Sequence, residues 1–172
     1  MNTNPRAGRG FTLVELMVTV AIAAVLLGFA LPAFNDFVMQ RRITTTANDF
    51  VLAMNYARSE AARLGGIVSV QALNAADTDN EWGPGFCVVE GDPGNCNDPL
   101  RVFDVGFGDG TVDALDALDG ADTFSFNSRG MLTAGAAGVL EVCTTDVTID
   151  PGRSLTISAV GRPSVNELEC HP

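Results

Sequence analysis

The sequence predicts an α+β fold: a long N-terminal α-helix, partly transmembrane, packed on a C-terminal antiparallel β-sheet domain, with a lollipop outline. Three observations predict it. Residues 16–35 are twenty consecutive uncharged, mostly apolar residues between Glu15 and Asp36. Ile43, Ala47, Phe50, Met54, Ala57, Ala61 and Leu64 then recur at steps of four and three, which places them on one helical stripe. Beyond Gly65-Gly66 the chain changes to short apolar runs between Gly, Asp, Asn and Pro clusters, the pattern of strands joined by turns.

The helix comes first. At ~1.5 Å rise per residue, an uncharged run of this length spans ~30 Å, the thickness of a bilayer core. A secretory signal peptide carries a shorter apolar region with its cleavage site after it. Here the small residue Gly10 precedes the run, so the apolar segment stays on the mature chain. Arg6 and Arg9 precede the segment, and Arg41 and Arg42 follow it only after Asp36, which favours a cytoplasmic N-terminus. A carboxylate such as Glu15 costs roughly 2.5–3.5 kcal/mol at the bilayer centre and calls for a partner. Residues 11–40 hold no Lys, Arg or His, so that partner comes from outside the segment. Pro32 lacks an N–H and is expected to kink or loosen the helix. Asn48, Asp49, Asn55, Arg58 and Arg63 fall off the apolar stripe of the second half, and Gly65 supplies a helix stop.

The expected strands are residues 67–73, 85–90, 100–104, 123–127, 131–133, 139–144 and 154–160. Frequent Gly-rich turns and the absence of βαβ alternation argue for antiparallel pairing on the helix. Four cysteines allow three complete pairings. Cys87 and Cys96 lie nine apart around a Gly-Asp-Pro-Gly-Asn turn, which suits a hairpin staple; Cys143 and Cys170 suit a second that pins the tail. Disulfides place the domain outside the cytosol. Zinc fails on spacing, because no C-x-x-C occurs and His171 is the lone His.

Charge excludes further classes. The chain has no Lys, and its ten basic residues are all Arg; the formal net charge is −11. Without Arg6 and Arg9 the balance is eight Arg against 21 acidic residues, or −13. Such a surface repels polyanions, so nucleic acid is disfavoured as a partner. Asp109, Asp113, Asp116, Asp119 and Asp122 recur every three or four residues and read as a solvated acidic loop, since calcium needs oxygens converging on a loop rather than a stripe. The run Asp77, Asp79, Glu81 has Trp82 where a calcium loop wants Gly. No G-x-S-x-G elbow and no phosphate-binding G-x-x-x-x-G-K-[ST] loop is present. Neither catalysis, a metal nor a cofactor is expected.

Gly10, Phe11, Thr12, Leu13, Glu15 and Pro32 together resemble the class III signal of type IV pilins and type II secretion pseudopilins. The resemblance implies a leader cut between Gly10 and Phe11, N-methylation of Phe11, and filament assembly through Glu15 and Pro32. It pairs the Glu15 carboxylate with the new Phe11 amine of the same or a neighbouring subunit. Trp82-Gly83-Pro84-Gly85-Phe86, Phe126-Asn127-Ser128-Arg129-Gly130 and Leu155-Thr156-Ile157-Ser158 followed by Gly161-Arg162 are similar to the globular domain of the H-type pseudopilin and FimT/FimU minor-pilin family. On that reading residues 1–10 are the leader, 11–34 the transmembrane or filament-core helix, 35–64 the amphipathic half and 65–172 the β-rich domain. The resemblance implies a pilin-like structural subunit, not an enzyme. Its partners would be other pilins or pseudopilins, a prepilin peptidase and methyltransferase, and an inner-membrane assembly platform. It would sit in the inner membrane by a single span with a periplasmic domain, and then in a pilus or pseudopilus. The alternative is a DNA receptor for transformation, with Arg162 and Arg153 as contacts. A single Arg before Pro163-Ser164, where relatives of that type carry a basic pair, argues against it.

Overall fold

The computed structural model describes residues 11–73, 81–105, 110–115, 122–134, 138–144 and 151–170. They fall into two compact units that part between Val38 and Met39. One helix, α1 (Leu13–Leu64), contributes to both and is continuous through position 32. The first unit contains its apolar N-terminal part. The second contains the remainder of α1 and the strands.

The strands are β1 (Val68–Ala72), β2 (Gly85–Glu90), β3 (Arg101–Asp104), β4 (Gly110–Leu115), β5 (Thr123–Phe126), β6 (Leu132–Ala134), β7 (Gly138–Thr144), β8 (Gly152–Ile157) and β9 (Pro163–Leu168). They form two antiparallel sheets, ordered β3-β2-β1-β5-β6 and β4-β7-β8-β9. The expected antiparallel β-domain is thus built from two sheets.

The core of the second unit forms where the stripe of α1 meets both sheets. Ile43, Ala47, Phe50, Met54, Ala57 and Ala61 are buried, as is Ala53, which lies between the expected positions. Leu64 differs from expectation: it is the last helical residue, remains 37% exposed, and the chain turns away at once into Gly65 with φ +69°. Phe50 is the hub. Its ring centroid lies 5.2 Å from Trp82 and Phe86 and 5.9 Å from Phe124, all edge-on. The second sheet adds Val112, Leu140, Val142, Leu155 and Ile157 to the same core.

Alternation along a strand sends successive side chains to opposite faces, yet every residue of β1 is buried. Val68, Val70 and Ala72 join the helix-facing core. The intervening Ser69 and Gln71 are buried with their polar groups satisfied: Ser69 Oγ bonds Gly91 O at 2.5 Å and Ser125 Oγ at 2.8 Å, and Gln71 Nε2 donates to Asp122 O at 3.1 Å. A buried hydrogen-bonded row of this kind avoids the cost of orphaned polar atoms.

Two strands escaped the expected set. The segment Gly110–Leu115 was read as part of an acidic loop, but it pairs with β7, with Asp113 opposite Glu141 and Val112 buried opposite Val142. Alternation in this strand is carried by few apolar residues, so the Asp spacing masked it. Asp109, Asp116 and Asp119 lie outside the described residues, as do Asp77 and Asp79. Strand β9 was missed because Pro163, Ser164, Asn166 and Glu167 make it polar, as suits an edge strand opening on Pro. The expected strand 154–160 instead stops at Ile157, where Ser158 begins the tight turn into β9: Ser158 N donates to Arg162 O at 3.1 Å, and Gly161 N donates to Ser158 O at 2.7 Å.

Candidate functional site

The N-terminal part of α1 carries the densest set of candidate residues. Its start is capped locally. Glu15 N donates to Thr12 Oγ1 at 3.2 Å, and Leu16 N donates to Thr12 O at 3.2 Å. Thr12 thus sits at the N-cap with Glu15 at the third helical position, the Thr-x-x-Glu spacing of a capping box. That spacing is legible in the sequence as a local helix-start signal. Within this segment the hydroxyl of Thr19 is satisfied by Leu16 O at 2.8 Å, as an apolar medium requires.

Outward of the cap, the segment presents apolar side chains on all sides. Phe11 is 82% exposed, and Leu13, Val14, Leu16, Met17, Val20, Leu26, Phe29 and Phe34 are all exposed. Exposed apolar surface of this extent marks a site that something else covers. The helix is long and apolar enough to cross a membrane. Among described residues 11–40, no cation lies on the segment that bears Glu15. Gly10 lies outside the described residues, and Pro32 is helical.

In the second unit, Cys87 is bonded to Cys96 and Cys143 to Cys170, each pair with Cα atoms 5.9 Å apart. The Cys87–Cys96 bond draws the loop after β2 over the first sheet, where Cys96 Sγ lies 3.7 Å from Gln71 O. The described residues contain no cluster of three or more His, Cys, Asp or Glu side chains that could hold a metal ion.

The arginines lie on α1, on both sheets and on two turns. Arg153, on β8, lies 3.7 Å from Glu167 of β9. Arg101 lies over the Phe103 ring at 4.7 Å on the other sheet. Arg162 is exposed in the β8–β9 turn, and Arg129 is exposed in the β5–β6 turn. Sequence reasoning missed the role of Arg58, which it placed only off the apolar stripe of α1. Its Nη2 donates to Val160 O at 2.9 Å and Gly161 O at 2.5 Å, and its guanidinium lies 5.4 Å from the Phe126 ring centroid. These contacts span 102 and 103 residues along the chain, a separation over which no local pattern gives a signal.

Comparison with known proteins covers both units. Residues 46–161 match the family model described as type II transport protein GspH, and residues 5–31 match the prokaryotic N-terminal methylation motif. The type IV major fimbrial protein FimA of Dichelobacter nodosus is 47% identical over 36 residues, 21% of this chain. The chain spans only 22% of the length of that relative. A fimbrial protein of Pseudomonas aeruginosa is 32% identical over 113 residues, covering 66% of this chain and 70% of its own. The crystal structure of the type IV minor pilin FimU of Pseudomonas aeruginosa superposes with a TM-score of 0.58 at 29% identity, over 72% of this chain and 91% of that one.

Proposed function

The chain belongs to the family of type II transport protein GspH, and from that premise we propose that it is a minor structural subunit of a type IV pilus or a type II secretion pseudopilus. It helps start or cap the filament. The observation that carries this reading is the exposed apolar stretch of α1 with a single carboxylate, Glu15, one turn from its start. Such a surface is unstable in water and is covered first by lipid, then by the same segment of neighbouring subunits.

On this reading residues 1–10 are removed as a leader. Residues 11–34 anchor the protein by a single span in the inner membrane before forming filament core. Residues 35–64 continue the helix, and 65–172 face the periplasm. Cleavage between Gly10 and Phe11 frees an amine, which is then methylated. That cation neutralises the Glu15 carboxylate of its own or a neighbouring subunit, and in a low-dielectric filament core the pairing is far stronger than in water. Pro32 loosens the helix where subunits must adjust to each other. The partners are other pilins or pseudopilins, the peptidase and methyltransferase, and the assembly platform. The role is structural, and no enzymatic step is assigned to the chain.

Mass spectrometry of the mature N-terminus tests the processing step. The expected species begins at methylated Phe11, and Gly10→Val abolishes it because a small residue is needed at the cut. Assembled filaments whose subunits retain residues 1–10 would overturn the assignment.

A further inference from the structure

Among the described residues, β9 is the last strand and has one neighbour, β8, which it meets from Gly152↔Leu168 to Ile157↔Pro163. Ser164, Asn166 and Glu167 are exposed, and Val165 is the β9 residue that packs against the core. An edge strand with so little apolar burial gains little from the hydrophobic effect. Its two ends, in contrast, are held by contacts that reach beyond β8.

At the front, the turn entering β9 is gripped by Arg58 of α1, whose Nη2 donates to the carbonyls of Val160 and Gly161. Charged donors make these stronger than ordinary backbone bonds. The turn is shaped to admit the grip. Gly161 has φ +72°, and a Cβ there would stand 2.5 Å from Phe126 Cε1 and 3.3 Å from Arg58 Nη2. A Cβ on Gly130 would stand 2.8 Å from Arg58 Cγ. At the rear, Cys170 lies two residues past the end of β9 and is bonded to Cys143 of β7. Because β8 lies between β7 and β9, this bond crosses β8. It crosses at Gly152, where a Cβ would collide with Cys170 Sγ and stand 3.0 Å from Cys143 Sγ.

We propose that β9 is a strap held shut by two independent clamps, Arg58 at its front and the Cys143–Cys170 bond at its rear, and that the Arg58 clamp couples the docking of this C-terminal strand to helix α1. A shift of α1 at Arg58 releases the front of the strap while the covalent rear keeps the strand on its own chain. The inference stands apart from the filament role, since it concerns contacts inside one subunit.

Hydrogen exchange read by mass spectrometry on the full mature chain in detergent micelles tests it. Three variants are compared with wild type: Arg58→Met, which keeps the aliphatic stem over Gly130; Cys143→Ser with Cys170→Ser; and all three substitutions together. Arg58→Met is expected to speed exchange about tenfold or more at residues 158–165, with little change at 166–170. The serine pair is expected to do the reverse. The combined variant should open all of β9 while peptides of β1, β2 and β5 exchange as in wild type. Equal acceleration along β9 in both partial variants would overturn the two-clamp assignment. So would acceleration of both sheets together, or wild-type exchange in the combined variant. If the combined variant does not fold, the end-selectivity of the two partial variants decides the matter alone.

Discussion

At the scale of single residues, Glu15 joins an observed role to a proposed one. Its backbone N–H is accepted by the Thr12 hydroxyl at 3.2 Å, so it belongs to a helix cap. Its carboxylate is the one acidic group ahead of twenty uncharged residues, so it is also the group for which the Phe11 amine is the proposed partner. Glu15→Gln separates the roles, because a glutamine serves a capping box as well as a glutamate but carries no charge. We expect Glu15→Gln subunits to reach the membrane as wild type does and to be depleted from sheared filaments. Thr12→Ala removes the cap at a cost of roughly 0.5–2 kcal/mol to the helix start, retains the charge, and should still enter filaments. Quantitative immunoblotting of membrane and sheared fractions distinguishes them. Incorporation of Glu15→Gln at wild-type levels would leave the cap as the residue's whole role.

At the scale of elements, the helix is the part whose partners are most sharply defined. Phe50 is fully buried among three aromatic rings, whereas Leu52, two residues on, is 44% exposed. Phe50→Ala should cost about 3–5 kcal/mol through lost transfer energy and the cavity left behind. Leu52→Ala should stay within about 0.5 kcal/mol, as surface changes do. Trp82 is the sole tryptophan and is buried beside Phe50, so its fluorescence in a urea titration reports both values directly. Equal midpoints for the two variants would mean that α1 is not seated on the aromatic cluster. The stripe that places Phe50 inward was legible because helical burial repeats locally, every three or four residues. Strands β1, β2, β3 and β5 were legible for a similar reason, from apolar runs bounded by turn residues. Strand β9 was not, since an edge strand needs few apolar side chains, and β4 was hidden behind its Asp residues. The role of Arg58, a residue off the apolar stripe, was not legible because its partners, Val160 and Gly161, are brought to it by the fold alone.

At the scale of the whole molecule, charge decides between a filament subunit and a DNA receptor. Without residues 1–10 the balance is eight Arg against 21 acidic residues, or −13, and the arginines are spread over α1, both sheets and two turns. Arg58 is engaged with two carbonyls and the Phe126 ring, Arg153 faces Glu167, and Arg101 lies over Phe103 on the other sheet. Arg129 and Arg162 are exposed on turns, and Arg41, Arg42 and Arg63 are exposed on α1. Non-specific DNA binders reach about 10⁻⁴–10⁻⁶ M through several phosphate contacts, each of which steepens the salt dependence. So few cations on so acidic a surface cannot neutralise that many phosphates. A mobility-shift titration of the mature protein in detergent, at two salt concentrations, is therefore expected to show no complex below millimolar protein. Micromolar binding that weakens with salt and disappears in Arg162→Ala would reverse the assignment, because it would require the field of a local cluster to overcome the net charge of the molecule.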